Sequence, residues 1–119
     1  MSLKGKRVLL VEDDSFLLMS LQDAMESFGC ELVGSAMAVP QAMDLARDLS
    51  IDVAVLDVNL AGQLITPVAE TLASRGIPFL FATGCEAQIA PSLADRPRVT
   101  KPYGLAQLRS ALSQVVSAV

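Results

Sequence analysis

Five polar side chains stand at the ends of short strand-like runs of the sequence. Glu12 and Asp13 follow KRVLLV, Asp57 follows DVAVL, Thr83 follows IPFLFA, and Lys101 follows RVT. Carboxylates held close together repel one another, and a divalent cation removes that repulsion. The ligand atoms would all be oxygens, which points to a hard ion such as Mg²⁺, with Mn²⁺ as the second candidate.

Lys101 and Thr83 add an ammonium group and a hydroxyl, which a site for a metal alone would not need. Both fit a site in which a new anion appears. A phosphoryl group on Asp57 would bring about −2 charge and three acceptor oxygens. Phosphoryl transfer depends mainly on positioning and charge neutralisation. Any one of these residues alone is explained more simply as a solvated loop residue, and Asp14 with Ser15 as a helix cap.

These runs indicate strands, and the more apolar of them are typical of buried strands. The five predicted strands are Lys6–Val11, Glu31–Ser35, Asp52–Leu56, Ile77–Ala82 and Arg98–Thr100. Apolar stripes at helical spacing lie between them and after the last, within 17–28, 39–49, 65–73 and 105–119. The segment Glu86–Asp95 contains Pro91 and few apolar repeats, so its helix is expected to be short or irregular.

This alternation predicts an α/β domain with a doubly wound, five-stranded parallel sheet and five helices. Ligands of such sheets bind outside the carboxyl ends of the strands, where the polar residues above would meet. Gly29 and Gly76 stand at expected helix ends. Thr66 is expected to cap the third helix, with Pro67 at its first position, and residues 59–62 are expected to form a loop.

Composition narrows the classes of protein. The 119 residues, 52% of them apolar, suit a single domain over 1–119, with 1–5 as an N-terminal tail whose Met-Ser-Leu start is typical of residues added for expression. No apolar run approaches the ~20 residues that span a bilayer, and no signal peptide is evident, so we expect a cytoplasmic protein without membrane insertion. The net charge of −4 argues against direct binding of nucleic acid.

Two further residue types bear on the chemistry. The chain has no His, which excludes a Ser-His-Asp triad or a phosphohistidine relay within it. Cys30 and Cys85 form no C-x-x-C motif and are expected to be buried thiols.

Four segments together resemble the receiver domain of bacterial response regulators. They are VLLVEDD (Val8–Asp14), VLDVNLAG (Val55–Gly62), FATG (Phe81–Gly84) and KPY (Lys101–Tyr103). The resemblance runs from about Lys6 to Val119, and PFLFATG is similar to the FATGUY subgroup, whose members are often stand-alone receivers.

The resemblance implies a role for each site residue. Asp57 would accept a phosphoryl group from a histidine kinase, and Asp13, Asp57 and the backbone carbonyl of Asn59 would bind Mg²⁺, with Glu12 bound through water. Thr83 would be the switch hydroxyl, and Lys101 would bind the phosphoryl group next to a cis Lys101–Pro102 peptide bond. The protein would be a signalling switch or phosphate shuttle, read by an unknown downstream protein. It would not be an enzyme beyond its own phosphorylation and dephosphorylation.

Three positions depart from the family pattern. Arg98 stands three residues before Lys101, where many receivers have Tyr or Phe, so the usual coupling of threonine to an aromatic ring is not expected here. The stretch between Thr83 and Lys101 is shorter than usual. The loop after Asp57, Val58–Gly62, lacks the proline often found there.

Two other interpretations account for parts of the pattern. A receiver-shaped interaction module that works without phosphorylation is the main alternative, and the intact set of site residues argues against it. A flavodoxin-like FMN module has the same architecture, but the acidic residues after the first strand would repel the FMN phosphate.

Overall fold

The computed structural model describes residues 3–60, 62–83, 93, 96–101 and 103–117. The elements in chain order are β1 (Arg7–Val11), α1 (Ser15–Ser27), β2 (Glu31–Ala36), α2 (Val39–Asp48), β3 (Val53–Leu56), β4 (Asn59–Leu60), β5 (Gln63–Leu64), α3 (Thr66–Ser74), β6 (Phe79–Thr83), β7 (Arg98–Thr100) and α4 (Leu105–Ser117). Five of the strands form a parallel sheet in the order β2-β1-β3-β6-β7. The predicted α/β class and its five-stranded parallel sheet are confirmed.

Helices cover both faces of this sheet. Successive residues of a strand point to opposite faces, and in β1 this puts Leu9 and Val11 in one apolar core and Val8 and Leu10 in the other. The first core includes residues of α2 and α3, and the second includes residues of α1 and α4. All four residues of β3 are buried, as expected for a central strand that is covered on both sides.

Local chemistry accounts for the start of α1 but not for that of α3. The Asp14 carboxylate accepts hydrogen bonds from the N–H groups of Phe16 and Leu17, at 2.9 and 3.2 Å, and so caps α1. The prediction that Thr66 caps α3 is wrong. Ile65 holds the capping position instead, and its side chain makes no cap. It is fixed there because it is buried and because its N–H group donates to the carbonyl of Val58.

The beginning of the described chain packs on the fold and does not extend from it as a tail. Leu3 is only 4% exposed and belongs to the core on the α1 and α4 face. The Gly5 N–H donates to the carbonyl of Gly29, and the Cys30 thiol donates to that of Leu3. Cys30 is half-buried, and burial raises the pKa of its thiol.

The segment after β3 is a hairpin and not the predicted loop. β4 and β5 pair in antiparallel fashion, Asn59 opposite Leu64 and Leu60 opposite Gln63. Leu60 is fully buried in the core, and Gly62 in the turn has a φ of 85°, which favours glycine. The burial of Leu60 and the conformation of Gly62 hold this short hairpin against the sheet.

Several predictions concern residues outside the described ranges. The expected fourth helix over Glu86–Asp95 lies there, apart from Leu93, which is buried. Cys85 and Pro102 also lie there, and with Pro102 the expected cis peptide bond. Among the described residues, no helix has the length and apolar character to cross a membrane.

An ion pair joins the beginnings of β1 and β3 at the amino edge of the sheet. The Asp52 carboxylate accepts hydrogen bonds from the backbone N–H of Arg7 at 2.8 Å and from its guanidinium at 3.2 Å. The Asp52 N–H in turn donates to the Arg7 carbonyl at 2.8 Å. The guanidinium holds the pKa of Asp52 below its ordinary value of 3.8.

We predict that Asp52→Asn lowers the free energy of unfolding at neutral pH by the small amount typical of partly exposed ion pairs. A carboxyl whose pKa is lowered by folding stabilises the protein above its ordinary pKa, and this contribution is lost as the pH falls through the folded value. The difference from wild type should therefore narrow below about pH 4 in urea titrations. Asp44→Asn, which breaks the more exposed pair with Arg47, is the matched control and should change less at either pH.

Candidate functional site

The order of the strands brings the predicted site residues to one edge of the sheet. β1 and β3 are neighbours with Val11 opposite Leu56, so Glu12 and Asp57 leave the sheet side by side. Two backbone hydrogen bonds continue the ladder past the strand ends: Glu12 N–H donates to the carbonyl of Ala36 at 3.0 Å, and Asp57 N–H to that of Val11 at 2.9 Å. The backbones of the two acidic residues are therefore fixed by the sheet itself.

Lys101 reaches the same point from the far edge strand. Its ammonium nitrogen lies 2.8 Å from Glu12 Oε1 and 3.3 Å from Asp57 Oδ2, and it donates to both carboxylates. The Glu12 side chain is 1% exposed, that of Asp57 10% and that of Lys101 23%. One cation is thus shared by two buried anions whose residues are 45 positions apart in the sequence.

The electrostatics of this trio follow from its burial. Burial raises the pKa of Glu12 to about 7; the hydrogen bond from Lys101 opposes the rise, and the neighbouring Asp57 adds to it. Burial by itself lowers the pKa of Lys101, but the hydrogen bond to Glu12 and the charge of Asp57 outweigh it, so the net shift is upward. Lys101 therefore stays protonated, and its single charge is shared between two carboxyl groups.

A third carboxylate completes a cluster suited to a divalent cation. One ligand oxygen each from Glu12, Asp13 and Asp57 lie within 4.8 Å of one another. Oxygen donors in this number match the preference of Mg²⁺, which usually retains several waters. Asp14 lies outside the cluster and caps α1, the role considered for it in the sequence.

The carbonyl of Asn59, a predicted metal ligand, is left available by the register of the hairpin. Ile65 N–H donates to the carbonyl of Val58 at 2.9 Å, which makes these two residues a hydrogen-bonded pair. Such pairs alternate along an antiparallel ladder with pairs that exchange no hydrogen bond. The next pair, Asn59 and Leu64, is of the second kind, so the Asn59 carbonyl is directed away from its partner strand.

Thr83 and Arg98 lie on the strands next to this site. The backbone of Thr83 ends β6 opposite Thr100, one residue before Lys101. The Thr83 side chain lies outside what the structure describes, so its predicted role as the switch hydroxyl stays a prediction. Arg98 is exposed at the start of β7.

Sequence reasoning missed two features of the site. The first is Tyr103, which is half-buried; burial raises the pKa of its phenol, and the charges of Lys101, Glu12 and Asp57 also act on it. The direct contact between Lys101 and Glu12 was not foreseen either. The position of Tyr103 two residues after Lys101 was the available signal for the first, whereas no sequence pattern identifies the second.

Comparison with known proteins identifies relatives of this chain. No protein-family model matches the sequence. The transcriptional regulatory protein PdtaR of Mycobacterium tuberculosis is 28% identical over 120 residues, which cover 94% of this chain. The match covers 57% of PdtaR, so the chain spans little more than half the length of this curated relative.

The chain is also similar to solved structures, one of which it matches over nearly its whole length. SdrG from Sphingomonas melonis Fr1 is 39% identical, with a TM-score of 0.84 over 98% of this chain and 99% of the SdrG chain. The BeF3-activated conformation of SdrG from Pseudomonas melonis Fr1 matches with a TM-score of 0.78 over 92% and 95% of the two chains. The response regulator PhyR from Brucella abortus is 26% identical, with a TM-score of 0.84 over 98% of this chain and 50% of PhyR.

Three observations agree with one another: the fold, the acidic cluster with its lysine, and the match to SdrG over nearly the whole length of both chains. The chain belongs to the receiver domains of response regulators, the proteins of two-component signalling.

Proposed function

We propose that the chain accepts a phosphoryl group on Asp57 from a histidine kinase, in a reaction that depends on Mg²⁺, and serves as a signalling switch or phosphate shuttle. The observation that carries this proposal is the Lys101 ammonium shared between the buried carboxylates of Glu12 and Asp57. A buried carboxylate beside a lysine ammonium group suits a residue that receives a further negative group. The BeF3-activated conformation of SdrG supports the same chemistry, because BeF3 is an analogue of the phosphoryl group.

In the proposed reaction an oxygen of Asp57 attacks the phosphorus of a phosphohistidine. A P–O bond forms and the P–N bond breaks, so the imidazole leaves and takes up a proton. The product is an acyl phosphate that is more negative than the original carboxylate. Lys101, only 3.3 Å from Asp57 Oδ2, can follow the new charge by transferring a hydrogen bond to a phosphoryl oxygen.

The acidic cluster fits the metal that the family implies. Asp13, Asp57 and the carbonyl of Asn59 would bind Mg²⁺ directly, and Glu12 through water. The bound ion would supply the positive charge that allows the carboxylates and the phosphoryl group to come together. Lys101 would supply the remaining positive charge, and Thr83 would donate a hydroxyl to the phosphoryl group.

The proposal extends to partners and place. A histidine kinase would supply the phosphoryl group, and an unknown downstream protein would read the signal in the cytoplasm. The negative net charge of the chain disfavours direct binding of nucleic acid. Catalysis would be limited to the protein's own phosphorylation and dephosphorylation.

We predict that incubation with Mg²⁺ and acetyl phosphate adds about 80 Da, one phosphoryl group, to the intact mass of the wild-type protein. Asp57→Asn has almost the same shape but a much weaker nucleophile, so it should show no adduct, and EDTA should prevent the adduct in wild type. Wild type that stays unmodified would contradict the proposal and favour the interaction module. An equal adduct on Asp57→Asn would contradict the choice of acceptor.

A second prediction concerns the charge of Lys101. Lys101→Gln should slow formation of the adduct by about a hundredfold, since one preorganised donor to developing negative charge has an effect of this order. Lys4→Gln removes the same charge at the opposite edge of the sheet and should leave the rate unchanged. Equal rates for the Lys101 variant and wild type in a mass-spectrometric time course would show that Lys101 has only a structural role.

A further inference from the structure

The hairpin that follows Asp57 has a feature that the phosphoacceptor chemistry alone does not explain. Its strands are only two residues long each, yet its register is held at both ends. At one end Ile65 N–H donates to the carbonyl of Val58, and at the other Gly62 makes the turn with a φ of 85°. The register decides which carbonyls enter the ladder and which stay outside it.

The burial pattern holds the hairpin in this register. Val58 and Ile65 are 2% exposed and Leu60 is fully buried, and all three belong to the core that includes α2 and α3. Leu64, opposite Asn59, is 53% exposed. A shift of β4 by one residue would turn Leu60 away from the core and towards solvent. It would also place Asn59 at a hydrogen-bonded position, and the Asn59 carbonyl would then accept a hydrogen bond from the partner strand.

We propose that the β4–β5 hairpin is a positioning element for the metal site, with Gly62 as the residue that sets it. The hairpin keeps the Asn59 carbonyl out of the ladder and at a fixed place, two residues after Asp57. This inference rests on the proposed function, because it takes Asn59 as a metal ligand. Gly62 acts through the backbone of Asn59 and touches no reacting atom.

Gly62 can be tested without creating a steric clash. A Cβ atom added there would meet nothing within 4 Å, so Gly62→Ala changes only the cost of the positive φ. Opening of the turn relieves that strain. In Gly62→Ala, only a fraction of the molecules would therefore have the closed turn that holds the Asn59 carbonyl in place. The apparent affinity falls in proportion to that fraction.

Gly76 offers a matched control. It has a φ of 70°, a Cβ atom there would also meet nothing within 4 Å, and it lies just after α3, away from the carboxyl edge of the sheet. Gly76→Ala should therefore introduce similar backbone strain without a change at the metal site. Gly62→Asn is the conservative variant, because Asn tolerates positive φ better than other residues with a side chain.

The experiment is an isothermal titration of Mg²⁺ into the full chain, for wild type and the three variants. We expect the dissociation constant of Gly62→Ala to rise about five- to tenfold, from strain of the usual size at such a position. Gly76→Ala should match wild type, and Gly62→Asn should lie close to it. With acetyl phosphate, Gly62→Ala should need more Mg²⁺ for its half-maximal rate but reach the wild-type rate at saturation.

The outcomes bear on the two proposals in different ways. Equal Mg²⁺ affinity for wild type and Gly62→Ala overturns the positioning role while phosphorylation of Asp57 stands. An equal loss in both alanine variants also overturns it, since the effect would then be a general loss of stability. If Gly62→Ala alone binds Mg²⁺ weakly, and neither wild type nor any variant is phosphorylated, the positioning role stands and the proposed function is wrong. No Mg²⁺ binding by wild type would overturn both.

Discussion

The site depends on one electrostatic constraint: two carboxylates are held almost out of water with a single ammonium group between them. Glu12 and Asp57 cannot separate, since their backbones continue the ladder of adjacent strands. Lys101 compensates only part of their charge, and Asp13 adds another carboxylate. Removing an ionised group from water has a large cost unless it is paired. The fold thus maintains an excess of negative charge, which a divalent cation would balance.

Most of the architecture that creates this constraint could be predicted from the sequence. Runs such as VAVL (Val53–Leu56) are apolar throughout because strands of a parallel sheet are buried on both faces, and this run ends at a polar residue, Asp57. Parallel strands place their carboxyl ends together, so Glu12, Asp57 and Lys101 were expected to meet. The cap at Asp14 and the helix ends at Gly29 and Gly76 follow from local rules that do not depend on tertiary structure.

The remaining features depend on contacts between distant residues. Leu3 packs in the core because the Gly5 backbone pairs with Gly29, which no pattern near the N-terminus indicates. Two-residue strands such as β4 and β5 are too short to show a periodic pattern in the sequence. Their pairing depends on the burial of Leu60, which is a tertiary contact. That hairpin displaced the start of α3, so Thr66 lost its expected capping position. The choice of Glu12 as the nearer partner of Lys101 likewise depends on distances in three dimensions.

The central claim is that Asp57 receives the phosphoryl group, and the position of that group can be measured directly. Borohydride reduces an aspartyl phosphate to homoserine, which is stable and can be located by tandem mass spectrometry of peptides. After phosphorylation by a phosphorylated histidine kinase domain and reduction, we predict homoserine at position 57 alone. Homoserine at position 13 or 14, or no conversion at any position, would contradict the account.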